Sequence, residues 1–359
     1  MIAGNRGEWS EIYAFFKILS EGRLHPGDAN LNKIAGFFYP VISILRKEIG
    51  KDITFSISGQ NIIITDSVNP AISIPNTHFI TQAANLLSNI KSSRGATFPL
   101  PSTEAFLNNL KCYTLKAKST TKADIIIQIH DSRTNLQPIL GFSIKSQLGG
   151  APTLLNASTA TNFIYKLTPA TLTYFDVNQI NNINSSRKIR DRIQAIYSKG
   201  IGLTFAGAEN RTFHNNLVLI DSLLPEILSN ALINYYEGKA VSLKQVCAYL
   251  TSTNPLGFDQ TLNHKFYEHK LKRFLSEVAL GMMPNTTWTG LYDGTEGYIV
   301  VKESGDVVCY HIINRNLFED YLLNNTRFET PSSTRHGFGQ IYSVANDLMF
   351  KLNLQIRFT

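Results

Sequence analysis

Two charged residues stand where a folded chain rarely leaves a charge alone. Asp124 opens the β-branched run ADIIIQIHD (123–131), and Lys145 lies inside GFSIKS (141–146). Burying an unpaired ion is costly, so a charge in such a run needs a partner. The two residues are 21 positions apart, room for two neighbouring strands joined by the polar turn SRTNLQP (132–138). A carboxylate and a lysine at one end of a sheet suit phosphodiester hydrolysis. The carboxylate holds a divalent cation against the scissile phosphate, and the cation polarises water. The lysine orients or helps deprotonate the attacking water and stabilises developing charge. Taken alone, the pair reads more plainly as a structural salt bridge, or as a strand-end Asp capping a turn.

The elements that would position this pair follow from periodicity. Residues 7–20 predict a helix, with Trp9, Ile12, Tyr13, Phe16 and Leu19 at three-four spacing and Gly22 as its stop. Residues 30–50 predict a second helix interrupted near Pro40. Strands are expected at 53–57 and 61–65 around a Ser-Gly-Gln-Asn turn, then helices at 77–91 and 103–110. The runs 123–131 and 139–148 predict two adjacent antiparallel strands, closed by Gly149, Gly150 and Pro152. Beyond them, helix is expected over 153–166, over 178–199 with its basic stretch SSRKIRDR, over 222–237 and 241–252, and as a basic amphipathic segment over 263–280. Strands are expected at 217–220 (LVLI) and over 297–311, and a flexible polar loop at 332–340. A soft boundary near 170 divides a nuclease-like core, 1–170, from a completing portion, 171–359.

Composition narrows the class. With 359 residues, 43% hydrophobic and 17% charged, the chain can bury a substantial core. A formal charge of +7 suits contact with a polyanion without requiring it. Cys112, Cys247 and Cys309 lie far apart, form no zinc-type cluster and fit a reducing cytoplasm. The N-terminus has no signal-peptide core, and no apolar run is long enough to span a membrane.

Asp124 and Lys145 on adjacent strands resemble the PD-(D/E)xK nuclease fold, an α/β architecture with a mixed central sheet flanked by helices. The acid usual two residues before the lysine is absent, and Ser143 stands there. Glu8 and Glu11, three apart on one helix face beside the apolar stripe, offer a replacement. Glu11 is favoured and Glu8 is next; the plain alternative is two solvated first-turn glutamates favoured by the helix dipole. Ile144, which has only main-chain donors, joins Asp124, Glu11 and Glu8 as a candidate metal ligand. Gln147, on the strand face of Lys145, is positioned to hold a water or the phosphate.

A more specific resemblance covers the whole length. The segments GNRGEWSEIYAFFKILSEGRL, ADIIIQIHD, LGFSIKSQLGGAPTLLNASTATNFIYK and GYIVVKESGDVVCYHIINRNLFEDYLLNNTRFETPSSTRHGFG are similar to blocks of the HpaII restriction endonuclease family. That resemblance implies Mg²⁺-dependent cleavage of double-stranded DNA at the tetranucleotide CCGG, with Asp124 and Lys145 catalytic and 5′-phosphate ends. A palindromic target favours a homodimer, one subunit per half-site. A cognate DNA methyltransferase is expected in the same system. Rival readings are a non-catalytic DNA-binding protein on a nuclease scaffold, suggested by Ser143, and a non-specific or repair nuclease of the same fold.

Arginine reads guanine bidentately, and CCGG offers two guanines per strand. The segment Ser332–Gly337 gathers Ser333, Arg335 and His336 on bendable backbone, against the alternative of an ordinary surface turn. Asn156 and Asn162, just after the Lys145 strand, are further DNA-contact candidates that read equally as turn or cap residues. Arg187, Lys188 and Arg190 form the densest basic cluster, and Lys265 and Lys272 share a helix face. Each is a candidate phosphate contact, or a solvated charged face.

Overall fold

The computed structural model describes residues 2–48, 51–115, 123–291 and 297–359. The chain forms two compact units, Met1–Pro152 with Tyr292–Tyr321, and Thr153–Leu291 with Leu322–Thr359. A single cut at 170 therefore differs from this division: residues 153–170 belong to the second unit, and the chain returns to the first at 292–321. Both crossings depend on contacts between distant segments, which local pattern does not carry.

The first unit is built on a nine-stranded mixed sheet, counted among the described residues. Its strands are β1 (Tyr39–Glu48), β2 (Lys51–Ser58), β3 (Asn61–Asp66), β4 (Ile72–Pro75), β5 (Ile125–Ile129), β6 (Ile139–Ser146), β7 (Gly297–Val301) and β8 (Val307–His311). They lie in the order β8-β7-β6-β5-β1-β2-β3-β4, with the short strand Arg23–Leu24 paired to β1. Neighbours are antiparallel except β6 and β7, which run parallel with Tyr298 opposite Ser143 and Val300 opposite Lys145. Helix α1 (Arg6–Glu21) packs on one sheet face together with α2 (Asn76–Ser92) and α3 (Pro101–Asn109).

Local chemistry sets α1. The Asn5 side chain accepts from the Glu8 amide, and Glu8 reaches back to the Asn5 amide at 2.9 Å, a reciprocal capping box. Gly22 ends the helix in the left-handed region, φ 62°, which suits a residue without Cβ. The expected stripe Trp9, Ile12, Tyr13, Phe16 and Leu19 is buried. Phe16 meets Phe79 of α2 and Phe106 of α3 edge-on, and the Trp9 indole donates to the Phe98 carbonyl at 3.0 Å. On the sheet side, Ile125, Ile127, Leu140, Phe142, Ile299 and Val301 face the same core. Alternation along β6 turns Phe142 and Ile144 toward that core and places Ser143 and Lys145 on the other face.

The second unit carries a four-stranded antiparallel sheet, in the order Gly202–Ala208, Asn162–Thr168, Asp347–Asn353 and Ile341–Val344, and a smaller three-stranded sheet. Helices Arg211–Ile220, Leu224–Tyr236, Leu243–Thr253 and Phe266–Ala279 complete its core.

Several expected elements are corrected. Residues 39–48 form strand β1 rather than helix, and a register shift between Val41 and Ser43 breaks its alternation of buried and less buried residues. Residues 153–166 hold strand Thr153–Leu155, a 3-10 turn and the start of strand Asn162–Thr168. The run 217–220 ends a helix that starts at its N-cap Asn210; Leu217 is buried while Val218 and Leu219 are exposed, a helical rather than a strand pattern. The expected helix 178–199 is split between helices Tyr174–Asn181 and Lys188–Ser198, with the basic stretch in the connecting turn and the second helix, and 332–340 contains the short helix Ser333–His336.

Candidate active site

Antiparallel pairing of β5 and β6 brings Asp124 beside the Lys145 strand. The Asp124 amide donates to the Phe142 carbonyl at 2.8 Å, continuing the ladder one residue beyond β5. Its carboxylate then turns along β6. Asp124 Oδ2 accepts from the Ile144 amide at 2.7 Å and from Ser143 Oγ at 2.9 Å. Ser143 Oγ in turn accepts from Lys145 Nζ at 3.0 Å. Asp124 and Lys145 are thus brought together through a hydroxyl, and all three side chains are half-buried.

Lys145 Nζ also lies 4.9 Å from the centre of the Tyr298 ring, a cation–π contact supplied by the parallel neighbour β7. Burial pushes the lysine below its ordinary pKa, while the Asp124 and Glu11 carboxylates pull it back up. Glu11 and Asp124 also line one small cleft, together with Phe15, Arg46, Leu115 and Ile125. Glu8 sits one turn earlier, where its carboxylate closes the capping box. Gln147 lies just past the end of β6, and its amide is held by the Val301 carbonyl at 2.9 Å.

The donor set suits a hard cation. Among the described residues no three His, Cys, Asp or Glu side chains cluster as a closed metal cage. Two carboxylates on one cleft could still serve a divalent cation that keeps most of its waters and takes only one or two protein carboxylates. The three cysteines are buried and unbridged.

The second unit groups several candidates for DNA contact. Arg187, Lys188, Arg190 and Ser333 line one groove, with Thr330, Ser332 and Thr334 adding hydroxyl groups. Arg335 is exposed beside it on the short helix capped by Ser332. Asn162 lies elsewhere: it is fully buried, donates to Glu209 at 2.7 Å and to the His336 carbonyl at 2.9 Å, and accepts from Asn353 at 2.7 Å. Its amide anchors the His336 turn from within. Asn156 is exposed after strand Thr153–Leu155. Lys265 and Lys272 both turn to Glu268, Lys265 at 3.7 Å, and stand apart from the groove.

Sequence reasoning passed over two contributors. Ser143 drew notice only as a missing acid, although its hydroxyl identity signalled a hydrogen-bonding role. Tyr298 is 153 positions from Lys145 and gave no local signal.

A mixed sheet flanked by helices, with an Asp and a Lys joined at the ends of adjacent strands, is a restriction-endonuclease-like arrangement. The model of the HpaII restriction endonuclease family matches residues 5–358. The chain belongs to that family, and so to the type II restriction endonucleases, which cleave DNA site-specifically. It is 47% identical to the type II restriction enzyme HpaII of Haemophilus parainfluenzae, over 99% of this chain and 98% of the relative. No solved structure gives a significant match.

Proposed function

We propose that this chain hydrolyses both strands of duplex DNA at CCGG, with Mg²⁺ as its cation and Asp124 and Lys145 as its catalytic pair. The observation that carries the reading is the Asp124–Ser143–Lys145 chain of hydrogen bonds at adjacent strand ends, in a member of a restriction endonuclease family. Mg²⁺, when bound, supplies charge neutralisation at the scissile phosphate and an activated water. Asp124 and Glu11 are the carboxylates that hold it, with the Ile144 carbonyl as the main-chain donor on β6. Glu8 is assigned to the helix cap instead. Lys145 orients the attacking water and offsets charge that builds on the phosphate. Its low-dielectric surroundings strengthen both effects. Gln147 holds a second water or a phosphate oxygen. No covalent intermediate is required, and the product carries a 5′-phosphate.

The groove of Arg187, Lys188, Arg190 and Ser333 grips the DNA backbone, and Arg335 with His336 reaches base edges. The palindromic target supports a homodimer, and a methyltransferase of the same specificity protects host DNA. The enzyme works in the cytoplasm, in keeping with its free cysteines; no single helix among the described residues is long and apolar enough to cross a membrane. Plasmid of known sequence, incubated with Mg²⁺ or with chelator, tests the reading. Discrete fragments with Mg²⁺ alone, sized to the CCGG map, are expected. A smear, or binding without cleavage, contradicts it.

A further inference from the structure

The position that usually carries an acid does something different here. A serine hydroxyl has one proton to give and two lone pairs to receive with. Ser143 spends its proton on Asp124 Oδ2 and receives Lys145 Nζ on a lone pair, at 2.9 and 3.0 Å. With the Ile144 amide also on Oδ2, at 2.7 Å, that oxygen belongs to β6. The other carboxylate oxygen, Oδ1, accepts from no donor among the described residues. The hydroxyl therefore does two things at once. It fixes the rotation of the carboxylate, and it separates the ammonium from the carboxylate by one oxygen atom. Without it, a half-buried lysine next to a carboxylate in a weakly polar site would collapse into a direct ion pair. Such a pair would engage both groups with each other and draw Lys145 from the place where a water would stand.

We propose that Ser143 is the positioning residue of this site. Its hydroxyl holds Asp124 with Oδ1 outward and keeps Lys145 from pairing with it directly. A carboxylate at 143 would itself bind cation; the serine takes over the ordering part of that role and leaves the second acid to Glu11, which lines the same cleft as Asp124. The backbone supports the assignment. Ser143 and Lys145 share one face of β6, and the parallel partner β7 sets Tyr298 opposite Ser143, so the lysine is bounded by a hydroxyl on one side and an aromatic ring on the other. The inference rests on the reading of Asp124 and Lys145 as the catalytic pair.

The test compares Ser143→Ala, Ser143→Thr and Asp124→Asn with the parent, all as full-length chains. Each is measured for single-turnover cleavage of a duplex containing CCGG at saturating enzyme, for metal-free affinity to that duplex, and for thermal midpoint. Removing a residue that orients the reacting groups from behind typically costs about 10- to 100-fold in activity. Ser143→Ala is expected to lose that much in rate, with affinity and thermal midpoint unchanged. Ser143→Thr keeps a hydroxyl on a β-branched carbon that a strand accepts, and should recover to within about fivefold of the parent. Equal rates for Ala and Thr, fast or slow, overturn the proposal. So does a loss of affinity parallel to the loss of rate, or a collapse of thermal stability in Ser143→Ala. Asp124→Asn separates the two levels of the argument. If it is inactive while Ser143→Ala is fast, only the role of Ser143 fails; if it cleaves like the parent, the catalytic pair itself has been misassigned.

Discussion

The two units put charge to opposite uses. Around the cleft of the first unit, charged groups are sheltered and bonded to one another: half-buried Asp124 and Lys145 meet through Ser143, and Arg46 and Glu48 form a buried pair at 2.8 Å. In the second, the basic residues Arg187, Lys188 and Arg190 line an open groove among hydroxyl groups. Chemistry needs fixed geometry and a low dielectric, which a sheet end against a packed helix supplies. Binding a phosphate backbone needs accessible positive charge that displaces counterions, which an open groove supplies. Substitutions in the first unit should therefore change rate, and substitutions in the groove should change affinity and its salt dependence.

The largest effects are expected at the pair itself. Asp124→Ala and Lys145→Ala should each lose about a thousandfold or more in single-turnover rate while still binding a CCGG duplex without metal, as read by gel shift. Lys145→Arg should not restore the rate, because a planar fork does not fit the place of a compact ammonium between Ser143 and Tyr298. Loss of thermal stability in Lys145→Ala, in place of loss of rate, would recast the pair as structural.

Glu11→Gln comes next. Removing its charge should raise the Mg²⁺ concentration for half-maximal cleavage by about tenfold. Glu8→Gln is the control, since glutamine still closes a capping box; its Mg²⁺ titration should match the parent. If the two variants exchange these behaviours, the second acid is Glu8.

In the groove, Arg187→Ala and Lys188→Ala should each weaken binding similarly on all duplexes and reduce the slope of log affinity against log salt by about 1. Their cleavage rate at saturating DNA should stay within about twofold of the parent. A fall in saturated rate would dissolve the division of labour between the units. The smallest effect is expected for Lys272→Ala. It removes an i,i+4 pair with Glu268, worth about 0.5 kcal/mol of stability, and should leave DNA affinity unaltered in a salt titration.

What could be read in advance follows the same divide. Helix α1 was legible to within a residue or two because its apolar stripe and terminal glycine agree. Strands β5 and β6 were legible because β-branched runs flank a short polar turn, so their antiparallel pairing is local. Strand β1 was not. It shifts register between Val41 and Ser43 and buries the polar residues Ser43, Arg46 and Glu48, so neither period stood out. The partnership of β6 with β7 joins residues about 150 positions apart, and no local pattern encodes it. Asn162 shows the limit of residue type as a guide: an amide suited to reading a base is fully buried and holds backbone instead.

The measurement that bears most directly on the account is sequencing of DNA ends after digestion of a large plasmid with Mg²⁺, for the parent chain and Asp124→Asn in parallel. The account predicts that every end generated by the parent carries a 5′-phosphate and falls at one fixed position within CCGG, and that Asp124→Asn generates none. Ends scattered over unrelated sequences, or the same CCGG ends from Asp124→Asn, would contradict it.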